Sequence, residues 1–381
     1  MALPREGLTI DYVAKLLRYT ILSPALAIPV ALATYLDKLP PSVIAKVSNV
    51  VPSEITNVIT NVITQLPECV IQARRPATIL ACLSVIISLT EQLNRGFNNN
   101  WTSKSDWHWS SEIVVITGGS SGIGATLAQQ LLSRNSQTTI VVVDYVPLTW
   151  TPPAGSRVHL YRCDLSDTAA IRTTCASIKK DVGQPSALVN NAGLSRGIGI
   201  LDGSYADREV TIKTNLLAPF LLTKEFLPEM VRRNHGHIVN VSSMSALLPP
   251  GKLADYAATK AGLIAMHEAL QLELANDHKA TKVRQTLAIL SFTKTPLFKG
   301  ETRQSNFLFP LMHVETVSEA LADALYSGYG RTIFLPGIMR YVACLRAAPE
   351  WMQRVVRQGT ENLGVDFKGR QTIDRSGKLC Q

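Results

Sequence analysis

Two kinds of apolar pattern divide the chain. From Glu112 onward, short runs of β-branched and aliphatic residues alternate with longer stretches whose apolar positions recur every three to four residues. The short runs fall at 113–116, 140–143, 158–161, 187–190, 237–241, 283–290 and 332–335, and read as strands. Helical patterns lie between them, around 123–134, 168–181, 208–231, 254–276 and 317–326. Alternation at these lengths predicts βαβ units, hence an α/β fold with a parallel sheet covered on both faces by helices. Beyond Pro336 one further helical pattern, Glu350 to Arg357, carries Trp351, Val355 and Val356 on one side. The chain then turns polar, and its end is expected to be loose.

The first hundred residues differ. No residue between Arg18 and Asp37 is charged, and Ile21, Leu22, Leu26, Ile28, Val30, Leu32 and Leu36 make the stretch apolar. At about 1.5 Å per residue it is just long enough to cross a hydrocarbon layer of about 30 Å, although Pro24 and Pro29 would kink it. No small-residue cleavage site clearly follows, which favours a retained anchor over a removed signal peptide. Next, Ile55, Val58, Ile59, Val62, Ile63 and Leu66 form one helical stripe opposite Thr56, Asn57, Thr60, Asn61 and Thr64. Such a helix can lie in a lipid interface or pack on a protein core. A third apolar run, Ala77 to Thr90, is short for a full crossing and suits a re-entrant or interfacial segment. Asn98 to Ser111 reads as a polar linker whose Trp101, Trp107 and Trp109 either sit at a membrane interface or cap the domain that follows. These shifts divide the chain into a hydrophobic, membrane-associated region with its linker (1–105), an α/β domain (106–340) and a tail (341–381).

Charge and cysteine content exclude some functions. The net charge of +9 comes from scattered lysines and arginines with no run of five, and no zinc or helix-turn-helix pattern accompanies them. A nucleic-acid partner is therefore not expected; anionic membrane lipid is the better partner for a basic surface. The six cysteines form no CxxC pair and no metal-ligand spacing, so reduced thiols and no metal site are expected. Asn100-Trp101-Thr102 and Asn240-Val241-Ser242 both fit a glycosylation acceptor, but the second falls in a predicted strand, which shows how little such triplets say.

The chemistry centres on Ile113-Val-Val-Ile-Thr-Gly-Gly-Ser-Ser-Gly-Ile-Gly124. A strand that breaks on glycines and restarts as a helix presents bare backbone N–H groups at a positive helix end, which suits a pyrophosphate. Gly118 would permit the turn, Gly122 the approach of phosphate to backbone, and Gly124 close packing of helix on strand. The second strand ends at Asp144, 20 residues after Gly124, where a carboxylate can accept hydrogen bonds from an adenosine ribose. Farther on, Tyr256 and Lys260 lie four apart on a helical pattern and so share one face. A tyrosine of pKa about 10 is a poor proton carrier at neutral pH unless a cation favours its phenolate. Ser243 stands thirteen residues before Tyr256, just past a strand end.

Together, Thr117-Gly118-x-x-x-Gly122-Ile123-Gly124, Asn190-Asn191-Ala192-Gly193, Ser243 and Tyr256-x-x-x-Lys260 resemble the short-chain dehydrogenase/reductase family over about 110 to 340. The resemblance implies a Rossmann-like, doubly wound parallel sheet of about seven strands, and reversible hydride transfer between a nicotinamide and an alcohol or carbonyl. It implies Tyr256 as general acid/base, Ser243 as the hydroxyl that holds the substrate oxygen, and Lys260 as the cation that lowers the tyrosine pKa and binds the nicotinamide ribose. Asn215 would support a water relay to that lysine. Gly118, Ser120, Ser121, Gly122, Ile123 and Gly124 would hold the pyrophosphate, Asp144 the ribose, and Asp164 with Leu165 the adenine. Asn191, Ala192 and Gly193 would line the cofactor, and Thr295 would bind the carboxamide. Singly, each has a plainer reading. Asn215 could be an interior helix residue bonded to backbone, Asp164 a cap for the helix starting near Asp167, and Ser242 is as polar as Ser243.

One departure stands out: Leu290-Ser291 occupies the place where the family usually has Pro-Gly. If that glycine required a positive φ, serine there would cost about 1 kcal/mol or more and could leave a weakened enzyme. Within the family, the N-terminal anchor, Asp144 and His267-Glu268 resemble membrane-bound retinol and 17β-hydroxysteroid dehydrogenases of the endoplasmic reticulum and lipid droplets. This implies an NAD-dependent enzyme, with NADP disfavoured, whose catalytic domain faces the cytosol. Its substrate would be a small apolar alcohol or carbonyl: a retinoid, steroid or long-chain lipid. An NADPH-dependent keto-lipid reductase and a catalytically weak dinucleotide-binding scaffold are the alternatives, and a homodimer is left open.

Overall fold

The computed structural model describes residues 3–38, 68–104, 106–297 and 305–360. The stripe at 55–66 and the polar end of the tail lie outside the described residues. The chain forms two compact units, Asp11–Asn94 and a larger one of Met1–Ile10 with Arg95–Gln381.

In the smaller unit, the uncharged stretch after Arg18 is not one continuous helix. A helix over Ile10–Tyr19 stops, aided by the Thr20 hydroxyl donating to Leu16 O at 2.7 Å, and a second helix runs over Pro24–Ala33 at 55° to the first. Pro24 occupies the first turn of the new helix, where a missing N–H costs nothing. The third apolar run is longer than its sequence suggested: it belongs to a 25-residue helix, Arg74–Asn98. That helix, about 37 Å long at 1.5 Å per residue, is long and apolar enough to cross a membrane. Arg74 donates to Thr34 O at 2.9 Å and lies 4.8 Å from the Tyr35 ring centre, and Arg18 pairs with Glu91.

The larger unit is built on a seven-stranded, wholly parallel sheet. Its strands are β1 (Ile113–Thr117), β2 (Thr139–Asp144), β3 (Val158–Arg162), β4 (Ala187–Asn190), β5 (Gly236–Ser243), β6 (Val283–Leu290) and β7 (Arg331–Leu335). The order β3-β2-β1-β4-β5-β6-β7 makes it a Rossmann-like, doubly wound sheet. Alternate strand residues point to opposite faces. Val114, Ile116, Val239 and Val241 meet Leu127, Leu131, Leu321 and Leu325 of the helices Gly122–Arg134 and Val314–Ser327. On the other face Val115, Val141 and Leu188 meet Ile171, Leu222, Phe226 and Leu270. Each such fully buried side chain contributes about 1.5–3 kcal/mol, so both faces are held by apolar burial.

The segment 95–111 is not a free linker. Arg284 of β6 is 1% exposed and binds it: Nη1 donates to Asn99 O (2.9 Å), Thr102 Oγ1 (3.1 Å) and Thr281 O (2.9 Å), and Nη2 to Thr102 O (3.1 Å) and Ser103 O (2.6 Å). Asn99 adds two bonds to Gly330. Trp109 stacks on Tyr326 with ring centres 4.0 Å apart, and Trp107 lies 4.4 Å from His235. These two tryptophans therefore cap the sheet domain, whereas Trp101 is 65% exposed. By contacts, Arg95 to Gln381 belong to the larger unit together with Met1–Ile10. Replacing Arg284 with Met would leave several buried carbonyls unpaired and is expected to cost about 3 kcal/mol. Thermal unfolding and limited proteolysis at 95–105 should register the loss; an unchanged melting temperature and cleavage pattern would contradict the clamp.

Candidate active site

The crevice opens at the carboxyl ends of β1 and β4, where the chain's winding reverses. Asn191, just past β4, ties the two ends together. Its Nδ2 donates to Thr117 O at 2.9 Å and Gly118 O at 3.2 Å, while its own N–H and that of Ala192 donate to Thr117 Oγ1, each at 3.0 Å. No side chain fits between these strands: a Cβ on Gly118 (φ +65°) would lie 2.9 Å from Ala192 Cα, and one on Gly124 2.3 Å from Gly118 O. Gly122 (φ +56°) opens the helix Gly122–Arg134, whose N-cap Ser121 makes no side-chain capping bond.

A cavity of about 360 Å³ follows, walled by Gly118, Ser121, Gly122, Ile123, Asp144, Leu165, Asn191, Ala192, Gly193 and Thr295. Three residues expected there do not wall it. Ser120 is fully buried, its N–H donating to Asp144 Oδ2 at 3.0 Å and its hydroxyl to Val146 O at 3.0 Å. Gly124 serves helix–strand packing. Asp164 turns its Oδ1 to the Ser166 N–H (2.9 Å) and hydroxyl (2.7 Å), and Asp167 rather than Asp164 caps the next helix. Asp144 receives the Tyr145 N–H at 2.8 Å, so its carboxylate also braces the turn.

A second cavity, about 350 Å³, adjoins the first. Ile123, Asn191, Gly193, Ser195, Thr295 and Leu297 belong to both walls. Its polar floor holds Ser243, Tyr256 and Lys260; Leu248, Leu253, Phe292, Phe309 and Met339 form much of the rest. Ser243 ends β5 and accepts from Ser245 N–H at 3.2 Å, whereas Ser242, also in the cavity wall, donates its hydroxyl to Lys260 O at 2.9 Å. Tyr256 lies in the first turn of the helix Ala254–Leu272, hydrogen-bonded to Ser243. Burial pushes its hydroxyl above the usual value, and the Ser243 bond pulls it part of the way back. The expected lowering by Lys260 does not prevail: its ammonium lies 5.7 Å from the Tyr256 ring centre and donates to Val241 O at 2.8 Å. Burial lowers Lys260 itself to about 8.

Asn215 sits in a π-helical turn, Lys213–Leu217, between the helices Tyr205–Ile212 and Ala218–Arg233. Such turns often mark functional sites. Its Oδ1 accepts from Leu194 N–H at 2.9 Å and its Nδ2 donates to Leu194 O at 2.8 Å. A Cβ on Gly193 would lie 3.4 Å from Lys260 Nζ and 3.6 Å from Asn215 Oδ1, so the three meet at one point. Ser291 has no positive φ; its N–H donates to Leu335 O at 2.8 Å, and the strain expected from losing Pro-Gly is absent. Sequence reasoning did not find Cys163, Val146 or Thr214 in the first cavity, nor Met339, Val342 and Val356 in the second. Of these, only Val356 had a signal, the apolar side of its helix.

This crevice and sheet define a nucleotide-binding oxidoreductase fold. Residues 112–306 match the family described as short chain dehydrogenase. The chain is 35% identical to Dehydrogenase RED2 of Cochliobolus heterostrophus over 221 residues, covering 57% of this chain and 83% of that one. It is 30% identical to Epidermal retinol dehydrogenase 2 of Mus musculus over 250 residues, covering 64% and 80%. A short chain dehydrogenase from Burkholderia cenocepacia solved in complex with NADP has the same fold, with a TM-score of 0.53, 23% identity, and coverage of 65% of this chain and 98% of that one. The protein belongs to the short-chain dehydrogenase family and is an oxidoreductase of that family.

The Lys260 pKa gives a test by linkage. Below pH 8 the lysine is charged in both states, and folding bears its burial. Between about 8 and the unfolded value of 10.5 the unfolded chain holds a proton that the folded one has lost, so stability rises with pH. The difference in urea midpoint between the wild type and Lys260→Met should therefore shift in favour of the wild type from pH 7.5 to 9.5. A constant difference would show that Lys260 is not buried as a titrating ammonium.

Proposed function

We propose that the protein transfers a hydride between a nicotinamide dinucleotide and an apolar alcohol or carbonyl. The observation that carries this reading is the group Ser243, Tyr256 and Lys260 on the floor of an otherwise apolar cavity that shares a wall with the glycine turn. The residues fit the cofactor: the glycine cradle has no room for a Cβ, the helix end is uncapped by side chains, and a carboxylate stands in the wall. When bound, the nicotinamide supplies or accepts the hydride.

The chain's own residues handle the proton. Tyr256 gives its hydroxyl proton to the substrate oxygen during reduction and recovers it during oxidation, while Ser243 holds that oxygen by hydrogen bond. Below pH 8 Lys260 carries a positive charge beside the cavity floor, and its role is to hold ribose hydroxyls of the cofactor next to Gly193. Asn215 fixes the Leu194 backbone and with it the shared wall; it is a positioning residue. Leu248, Leu253, Phe292, Phe309 and Met339 select an apolar substrate of the retinoid, steroid or long-chain lipid kind, in keeping with the retinol named for one relative. The apolar helix Arg74–Asn98 supports membrane association, with the endoplasmic reticulum or lipid droplets as the sites and the catalytic unit on the cytosolic side.

NAD is the favoured cofactor, because the Asp144 carboxylate can accept from ribose hydroxyls and would repel a 2′-phosphate. An NADPH-dependent keto-lipid reductase is the second reading: Arg162 Nη2 donates to Tyr145 O at 3.0 Å and so stands at the same strand end as Asp144. Fluorescence titration should show NADH bound at least tenfold more tightly than NADPH, about 1.4 kcal/mol; equal constants would remove Asp144 as the selecting group. Tyr256→Phe should lower kcat on a lipid alcohol about 10²- to 10⁴-fold and leave cofactor affinity nearly unchanged. A variant with wild-type kcat would end the assignment of Tyr256 as acid/base.

A further inference from the structure

The C-terminal helix Glu350–Gly359 has two distinct sides. On one edge Val356 and Gly359, followed by Thr360, line the apolar cavity. On the other, Trp351 is 68% exposed and Val355 60%, with Met352 and Val356 about half as exposed between them. Its polar positions are Glu350, Gln353, Arg354, Arg357 and Gln358, a spacing that puts apolar and polar residues on opposite halves. The helix is fixed where it stands. The preceding segment Gly337–Ala347 is held by Arg346, whose Nη2 donates to Ala246 O at 2.6 Å and Nε to Leu247 O at 3.1 Å. Gln353 Nε2 then closes on Ala348 O at 2.8 Å. An exposed tryptophan and valine are therefore held at the rim of the substrate cavity, and Tyr341 beside them in sequence is 71% exposed.

We propose that this helix docks the rim of the substrate cavity on the surface of a bilayer containing anionic lipid, so that an apolar substrate passes from lipid into the cavity. The choice of a bilayer over another protein surface rests on two observations. Between Gly337 and Gly359 four arginines (Arg340, Arg346, Arg354 and Arg357) stand against one acid, Glu350, which complements anionic headgroups. An apolar half with tryptophan and valine above a cationic half is the composition of a helix that lies in the interface plane. The same chain also carries, in Arg74–Asn98, a helix long and apolar enough to cross a membrane, so a bilayer is already within its reach. The inference rests on the apolar-substrate reading above and adds the route by which substrate arrives.

The test uses the full-length protein reconstituted in vesicles of phosphatidylcholine with about a third phosphatidylserine. Brominated acyl chains should quench the tryptophan fluorescence of the wild type more than that of Trp351→Phe. Trp351→Glu with Val355→Glu should raise KM at least fivefold for a long-chain alcohol held in the vesicles. The same variant should leave kcat and KM for a short water-soluble alcohol unchanged, since neither residue lines the cavity. Equal quenching in wild type and Trp351→Phe overturns the proposal. So does a Trp351 shielded in detergent without lipid at a mass of two chains, which would assign the face to a second copy. Quenching by brominated lipid with no turnover of either alcohol by the wild type would uphold the docking and reject the apolar-alcohol reading.

Discussion

Everything chemical in this protein depends on how closely β1 and β4 approach at the point where the sheet's winding reverses. The Asn191 side chain bonds two carbonyls of the opposite strand end, and Gly118 and Gly124 pack where no Cβ could. Three further groups brace the turn from behind: Asp144 takes the Ser120 N–H, Thr149 Oγ1 donates to Ser120 O at 2.6 Å, and Trp150 Nε1 to Gly119 O at 3.0 Å. With the carbonyls occupied on the inner side, the N–H groups at the start of the helix are left for an anion. The turn is thus braced on its inner side by the protein's own groups.

The second constraint is desolvation. Tyr256 and Lys260 are both deeply buried, and burial disfavours the charged form of each, pushing the phenol upward and the ammonium down to about 8. Apolar walls produce this effect and admit an apolar substrate at the same time. The buried polar atoms around the site are organised to match: Asn215 spends its amide on Leu194, and Ser242 spends its hydroxyl on Lys260 O.

Much of this was legible in the chain because it is local. All seven strands were visible as apolar runs, since a strand buried on both faces needs no alternation, and their ends moved by no more than a residue or two. The glycine turn and the Tyr256/Lys260 pair were legible because their chemistry is fixed by spacing along one element. What the sequence hid depends on distant partners. Arg284 binding Asn99 and Thr102 turned a supposed linker into part of the sheet unit, and no pattern near either residue announces it. Ser120 looked like its neighbour Ser121 until the strand end at Asp144 and Val146 claimed its donors. Ser291 looked strained only because glycine was expected there; its φ is not positive. The helical run at 254–276 keeps its extent, but from Glu273 to Asp277 it is a π-helical turn that helical periodicity does not distinguish.

The central claim is that hydride moves in the crevice where the glycine turn meets the Ser243–Tyr256–Lys260 floor. It is tested most directly by isotope transfer. The reconstituted protein would be given NADH carrying deuterium at the nicotinamide C4 position, together with an apolar aldehyde such as a retinoid aldehyde. One deuterium at the new carbinol carbon per NADH consumed, from one face of the nicotinamide only, is the predicted result. NADH bound in the crevice with no deuterium in the recovered substrate would contradict it.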